Sequence, residues 1–172
     1  MTLPEFPEQG SSEASTNSAS TRPGPPKFEP MLVQRLRAAH TALNTRFAEL
    51  VSVIEHDPAA AARSIEDCAR QFSAVRHIET IWLYPVLVQA VDSDAGARGQ
   101  FMELRLIGLI LARRMLRCFD DLLQAVRAEV FVTDTAARVS TALAIYSRHS
   151  EQAVYPLYEL IGTQREDAVH VA

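Results

Sequence analysis

Four stretches of this chain place core-type residues every three or four positions, and that spacing leaves little choice of architecture. Between Asp57 and Ala90 the inward positions read Ile65, Cys68, Phe72, Val75, Glu79, Trp82 and Val86. Steps of three and four hold residues on one face of a helix turning 3.6 residues per turn, so the stretch is a helix with one buried stripe. An earlier helix, roughly Met31 to His56, carries Leu36, His40, Leu43, Phe47, Leu50 and Ile54. A third carries Phe101, Leu104, Gly108, Leu111, Met115, Cys118 and Leu122. The fourth carries Val139, Leu143, Tyr146, Ser150, Ala153, Leu157 and Leu160. The joints are short. Asp57-Pro58 is a cap followed by proline at a first helical position, Asp92-Ser93-Asp94 with Gly96 breaks the chain, and Thr133-Asp134-Thr135 opens the last helix after a β-friendly connector, Val130-Phe131-Val132. Four long amphipathic segments with short joints predict an all-α fold, an antiparallel up-down-up-down four-helix bundle.

Glu79 does not belong in such a stripe unless something balances its charge, because a buried unpaired carboxylate costs several kcal/mol. The compensator is an Arg or Lys, a proton, or a metal ion. Arg76, three residues before it, and Arg105 on the third helix are the candidate cations. His40 sits at a similarly inward position on the first helix, which raises the question of a metal site.

Composition narrows the remaining choices. At 172 residues, 48% hydrophobic and 22% charged, the chain is long enough for one domain with a real core. A net charge of −4 argues against nucleic acid as the main partner, and no apolar run is long enough for a membrane span. The N-terminus lacks a basic-then-apolar signal pattern, so a cytoplasmic setting is expected, with Cys68 and Cys118 as thiols. Residues 1–29, rich in Ser, Thr, Pro, Gly and Glu, read as a disordered tail; 30–164 form the bundle and 165–172 a C-terminal tail. The two cysteines fall in one layer of adjacent helices and are either a redox-responsive pair or inert core residues. Arg113, Arg114 and Arg117 form a basic patch that a solvated helix face explains. No phosphate loop, nucleophile elbow or Ser-His-Asp arrangement points to a hydrolase or transferase, so no enzymatic activity is expected.

A weak internal echo links the second and fourth helices. Arg76-His77-Ile78-Glu79 precedes Tyr84-Pro85, and Arg148-His149-Ser150-Glu151 precedes Tyr155-Pro156, one residue out of register. Each proline should kink its helix and shape a central pocket, with Trp82, Tyr84, Tyr146 and Tyr155 gathered around it. Together with Ala39-His40-Thr41-Ala42-Leu43 on the first helix, the Glu79…Leu83-Tyr84-Pro85 spacing and Val154-Tyr155-Pro156 make residues 31–162 resemble the hemerythrin-like family, the HHE cation-binding domains. The resemblance implies a non-haem iron protein, since members typically hold two irons by inward histidines and bridging carboxylates. Carried over, it makes His40 the first-helix ligand and Glu79 the second-helix carboxylate. The remaining ligand positions fall on Val75, on Leu104 with Glu103 beside it, and on Tyr146 and Ser150.

Helix geometry suggests what could complete a smaller set. His77 lies about 200° around the helix from Glu79 and should face solvent. His149 lies about 60° from Tyr146 and about 100° from Ser150, on the flank of the seam. His40, Glu79 and His149, with Glu103 or Tyr146, would give N and O donors suited to iron, zinc or manganese. The expected function is metal binding, with non-haem iron, for O2, NO or redox sensing or storage. The alternative is a metal-free bundle that senses an organic ligand in its core or binds a protein partner; neither reading involves nucleic acid or a membrane.

Overall fold

The computed structural model describes residues 27–170 apart from residue 55, with side chains through residue 164. The expected N-terminal tail therefore lies almost entirely outside the described residues. Within them the chain is all-helical and contains no strand. The helices are α1 (Leu32–Val53), α2 (Pro58–Ile78), α3 (Tyr84–Ala90), α4 (Ala95–Ala128), α5 (Val132–His149) and α6 (Tyr155–His170). A five-residue π turn, Glu79–Leu83, joins α2 to α3 without a break, and a second, Ser150–Val154, joins α5 to α6. Four continuous rods result. The last of them is helical to His170, beyond the point where the sequence suggested a tail.

The joints follow local chemistry. Asp57 accepts a hydrogen bond from the Ala60 amide at 2.9 Å, with Pro58 just inside the helix where a missing N–H costs nothing. Asp94 caps α4 by accepting from the amides of Gly96 and Ala97. The last joint differs from the sequence reading: α5 starts at Val132, not at Thr133. Glu129 and Phe131 both take left-handed backbone angles (φ 57° and 51°) that turn the chain within three residues, leaving no extended connector.

The first rod packs on the second and the fourth, the second on the third, and the third on the fourth. Two apolar clusters fill the interior. One holds Leu43, Phe47, Phe72, Met115, Phe119, Leu122 and Leu143 together with Cys68 and Cys118; the other holds Leu36, Leu83, Leu87, Phe101, Val154, Tyr155 and Tyr158. Both cysteines are buried and unbonded, and burial raises the Cys68 thiol pKa, which makes it a poor nucleophile. Between the clusters, at mid-rod, lie the buried polar residues His40, Glu79 and Ser150.

The π turns correct the expected stripes. Each adds one residue to a helical turn, so the inward face moves one position further along the chain. Trp82, expected inside, is 52% exposed, and Leu83 takes its place with none of its surface exposed. In the fourth rod Leu157 and Leu160, expected inside, are exposed, while Val154, Tyr155 and Tyr158 are buried. At each of the two prolines expected to kink a helix, the chain forms one of these wide turns. Proline cannot donate to the carbonyl four residues back. The Tyr84 amide instead bonds to the Glu79 carbonyl and the Tyr155 amide to that of Ser150, five residues back.

Candidate functional site

The same turns build the polar centre. In a regular α-helix a residue five positions on lies about 140° around the axis. In a π turn it returns to nearly the same side. Glu79 and Tyr84 therefore both face inward, as do Ser150 and Tyr155. Anchored on the two Tyr-Pro pairs, Ser150 is the counterpart of Glu79, which removes the one-residue slip in the sequence echo. Glu151, the apparent counterpart in sequence, turns to the flank and pairs with Arg37 at 2.8 Å.

Glu79 is 1% exposed and its two oxygens meet four donors. Oε2 accepts from Arg76 Nη1 at 2.8 Å and from the Tyr146 hydroxyl in a short hydrogen bond. Oε1 accepts from the Tyr155 hydroxyl at 3.1 Å and from Ser150 Oγ at 3.4 Å. A carboxylate offers about four acceptor sites, so these donors saturate it. Arg76 Nη1 also lies 3.0 Å from the Tyr146 hydroxyl and 3.1 Å from that of Tyr84, and its guanidinium carbon sits 5.6–5.7 Å from the centres of both rings. Burial opposes the charge of Arg76, but Tyr146, Tyr84 and Glu79 outweigh it and raise the pKa, holding the guanidinium protonated. Burial, reinforced by the Glu79 charge, pushes the phenols of Tyr146, Tyr155 and Tyr84 upward, so all three stay protonated; Tyr146 and Tyr155 donate to Glu79, and Tyr84 accepts from Arg76. Of the two cations the sequence offered, Arg76 is the one that reaches Glu79. Arg105 stays outside, stacked 5.7 Å from the Tyr84 ring.

His40 reaches this centre from α1. Its Nε2 lies 3.9 Å from Glu79 Oε1 and 3.5 Å from the Tyr155 hydroxyl. Because the Tyr155 hydrogen is committed to Glu79, Nε2 must be the ring's donor toward the Tyr155 oxygen. Nδ1, on the other edge of the ring, is buried with no hydrogen-bond partner among the described residues. Burial lowers the His40 pKa, against the opposing pull of Glu79 and Glu151, and so favours the neutral ring.

His149 goes elsewhere. Its Nε2 lies 3.1 Å from the Leu104 carbonyl on α4. Gly108 makes that approach possible: a Cβ there would stand 3.2 Å from both His149 Nε2 and the Tyr84 hydroxyl. Burial lowers the His149 pKa, opposed by the Leu104 bond. Glu103 and His77 are both exposed. Among the described residues, no three of His, Cys, Asp and Glu come close enough to hold a metal ion.

Of the expected ligand set, then, His40 and Glu79 converge and His149 turns to the α4 backbone. Iron, which the hemerythrin-like resemblance implies, does not fit these donors. All acceptor sites of Glu79 are taken, a guanidinium already supplies the positive charge, and the unpartnered nitrogen of His40 is the one not directed at Glu79. A metal wants three or more converging N, O or S donors. Sequence reasoning had Arg76 as a candidate cation but missed Tyr84 and Tyr155 as parts of one hydrogen-bonded unit. The Tyr-Pro echo was the available signal. Comparison with known proteins adds no relative: no family profile, curated protein or solved structure matches the chain.

Proposed function

We propose that the chain is a metal-independent, hemerythrin-like bundle whose rods run up-down-up-down, and that it works in the cytoplasm as a protein-interaction module rather than as a metal carrier or an enzyme. Cluster membership supports the alternating direction. Along α1 and α4 the chain passes from the cluster of Leu36 and Phe101 to that of Phe47 and Met115; along the other two rods it passes the opposite way. Unbonded Cys68 and Cys118 suit a reducing compartment.

The observation that carries the reading is the Arg76–Glu79 pair. The guanidinium fills the role of charge compensator that a cation would have in a metal-binding relative, and three tyrosines and a serine complete the hydrogen bonding. A centre whose carboxylate, guanidinium and hydroxyls are spent on one another, with only His40 Nδ1 left over among the described residues, serves to fix the packing of four rods, not to receive a ligand. The outward side of α4 supports a role in binding a partner: Met102, Leu106, Leu109 and Ile110 are exposed there beside Arg105, Arg113, Arg114 and Arg117. The test is elemental analysis of untagged protein from iron-supplemented cells, followed by thermal unfolding with chelator and with added Fe(II) or Zn(II). The expected result is substoichiometric metal and an unchanged midpoint. One or two irons per chain, or a midpoint that falls with chelator, would return the function to metal-based sensing or storage.

A further inference from the structure

The side of α4 that faces away from the core combines exposed apolar residues with arginines. Met102, Leu106 and Leu109 fall within about 60° of one another on the helix, with Ile110 beside them. All four are exposed, Leu106 and Ile110 by more than half. Along the same side run Arg105, Arg113, Arg114 and Arg117. Elsewhere most described arginines find carboxylates: Arg35, Arg37, Arg46, Arg70, Arg76, Arg98, Arg127 and Arg138 each pair with an Asp or Glu, while exposed Arg63 and Arg148 stand singly. None of the four on α4 does so among the described residues. Glu103, Asp120 and Asp121 are the acidic residues nearest this line on the helix; the first two pair with none of these arginines, and Asp121, which shares a depression with Arg114 and Arg117, pairs with Arg138 at 3.0 Å. Beside the stripe, Thr80, Tyr84, Met102, Arg105, Leu106 and Leu109 line a groove of about 390 Å³, large enough for an aromatic side chain.

We propose that this face docks the chain's own N-terminal segment, residues 1–13, and that the segment thereby competes with an acidic partner for the surface. The proposal rests on the reading of α4 as the working surface. Charge complementarity selects the occupant: the segment carries Glu5, Glu8 and Glu13, and no Lys or Arg occurs before Arg22. Leu3, just before the first acid, and Phe6, between the first two, supply apolar anchors. A second copy docking through the same face would bring arginines against arginines, which disfavours a symmetric α4–α4 pair.

The attachment point allows it. Phe28 stacks on Tyr158 with ring centres 4.7 Å apart, and Tyr158 shares its buried cluster with Phe101, one residue before the stripe. The described chain thus starts at the end of the molecule where the stripe lies. From Lys27 back to Phe6 is enough chain to span about 70 Å extended and about 25 Å as a coil, against roughly 20 Å across two helices. Individual surface pairings of this kind are weak, but a tether holds the segment at millimolar effective concentration, so a weak and salt-sensitive contact is occupied in cis. An acidic, apolar segment of another protein would then bind only by displacing it.

The experiment places the photo-crosslinking residue p-benzoylphenylalanine at Ile110, at Met102 and, as a control, at exposed Glu49 in the full chain. Each protein is irradiated when purified and dilute, and the adducts are mapped by mass spectrometry. Adducts within one chain to residues 1–13 from positions 110 and 102, but not from 49, are expected. Glu5→Lys, Glu8→Lys and Glu13→Lys together should lower the yield about fivefold, the effect of reversing three weak pairings, and 0.5 M salt should act in the same direction. Adducts only to a second copy, only to other parts of the chain, or no yield above the Glu49 control would overturn the proposal. Unchanged thermal midpoints of the labelled proteins show that the fold is intact. Failure here leaves the metal-independent reading of the core untouched, because elemental analysis alone decides that.

Discussion

At the first π turn the core receives Glu79, a carboxylate held by a guanidinium and three hydroxyl donors besides; at the second it receives Ser150, a small hydroxyl that leans on that carboxylate. The backbone solution is the same in both. Each widened turn absorbs a proline six residues after its first position and brings a tyrosine inward just before it. The pair teaches that the fold needs two wide turns but only one buried charge. The first turn supplies the ion, and Ser150 and Tyr155 at the second supply two of its four hydrogen bonds, so each is incomplete alone.

The largest expected effect comes from leaving that ion unbalanced. Arg76→Met strips the one guanidinium paired with Glu79 among the described residues and should cost about 3–5 kcal/mol in urea unfolding, as does breaking other buried pairs. A smaller cost would mean that the first turn does not depend on its ion. Next is the backbone device itself. Deleting exposed Gln152 returns the second turn to α geometry with Tyr155 still facing inward, but it puts Pro156 inside a regular helix at a cost of about 3 kcal/mol. Adding Pro156→Ala to the deletion should recover most of that loss. If it does not, the turn is more than an accommodation of proline.

Smaller changes separate the partners of Glu79. Tyr146→Phe removes a hydrogen bond to a charged acceptor and should cost about 1.5–3 kcal/mol, whereas Ser150→Ala, which gives up only a 3.4 Å contact, should cost about 1 kcal/mol or less. The pH response is smaller still. His40 and His149 both have folded pKa values below the ordinary 6.5, so below that pH the unfolded chain takes up protons that the folded chain refuses. Stability should fall as pH drops from 7.5 to 5.5, a range in which ordinary carboxylates stay ionised, and His40→Gln should flatten the slope. Last, Trp82→Ala should change stability by no more than about 0.5 kcal/mol, the usual scale for an exposed position. A loss of 3–5 kcal/mol, the cost of emptying a core site, would put the tryptophan back inside and contradict the shifted stripe.

Much of this was readable from the residues. Spacing by three and four identified the helical segments, Asp57-Pro58 and the Asp94–Gly96 break marked two helix starts, and Glu79 stood out because a carboxylate in an apolar seam needs a partner. Arg76 was a candidate for that partner because three residues bring two side chains to one helix face. What could not be read was the extra residue in each π turn. A fixed period of 3.6 carries the stripe through Trp82, Leu157 and Leu160, and a single widened turn moves it to Leu83, Tyr155 and Tyr158. The same shift pairs Ser150 with Glu79 and sends Glu151 to Arg37. His149 was judged by its angle on α5 alone, while its position depends on Gly108, a missing side chain on a different helix.

The central claim is that the charge of Glu79 is balanced from within the chain. The most direct measurement is a double-mutant cycle of Arg76→Met and Glu79→Gln, read by urea unfolding in the presence of EDTA. The account predicts that the double variant is more stable than Arg76→Met alone, with a coupling of at least about 1.5 kcal/mol between the two positions. Additivity to within about 0.5 kcal/mol would contradict it and show that something other than Arg76 balances the buried carboxylate.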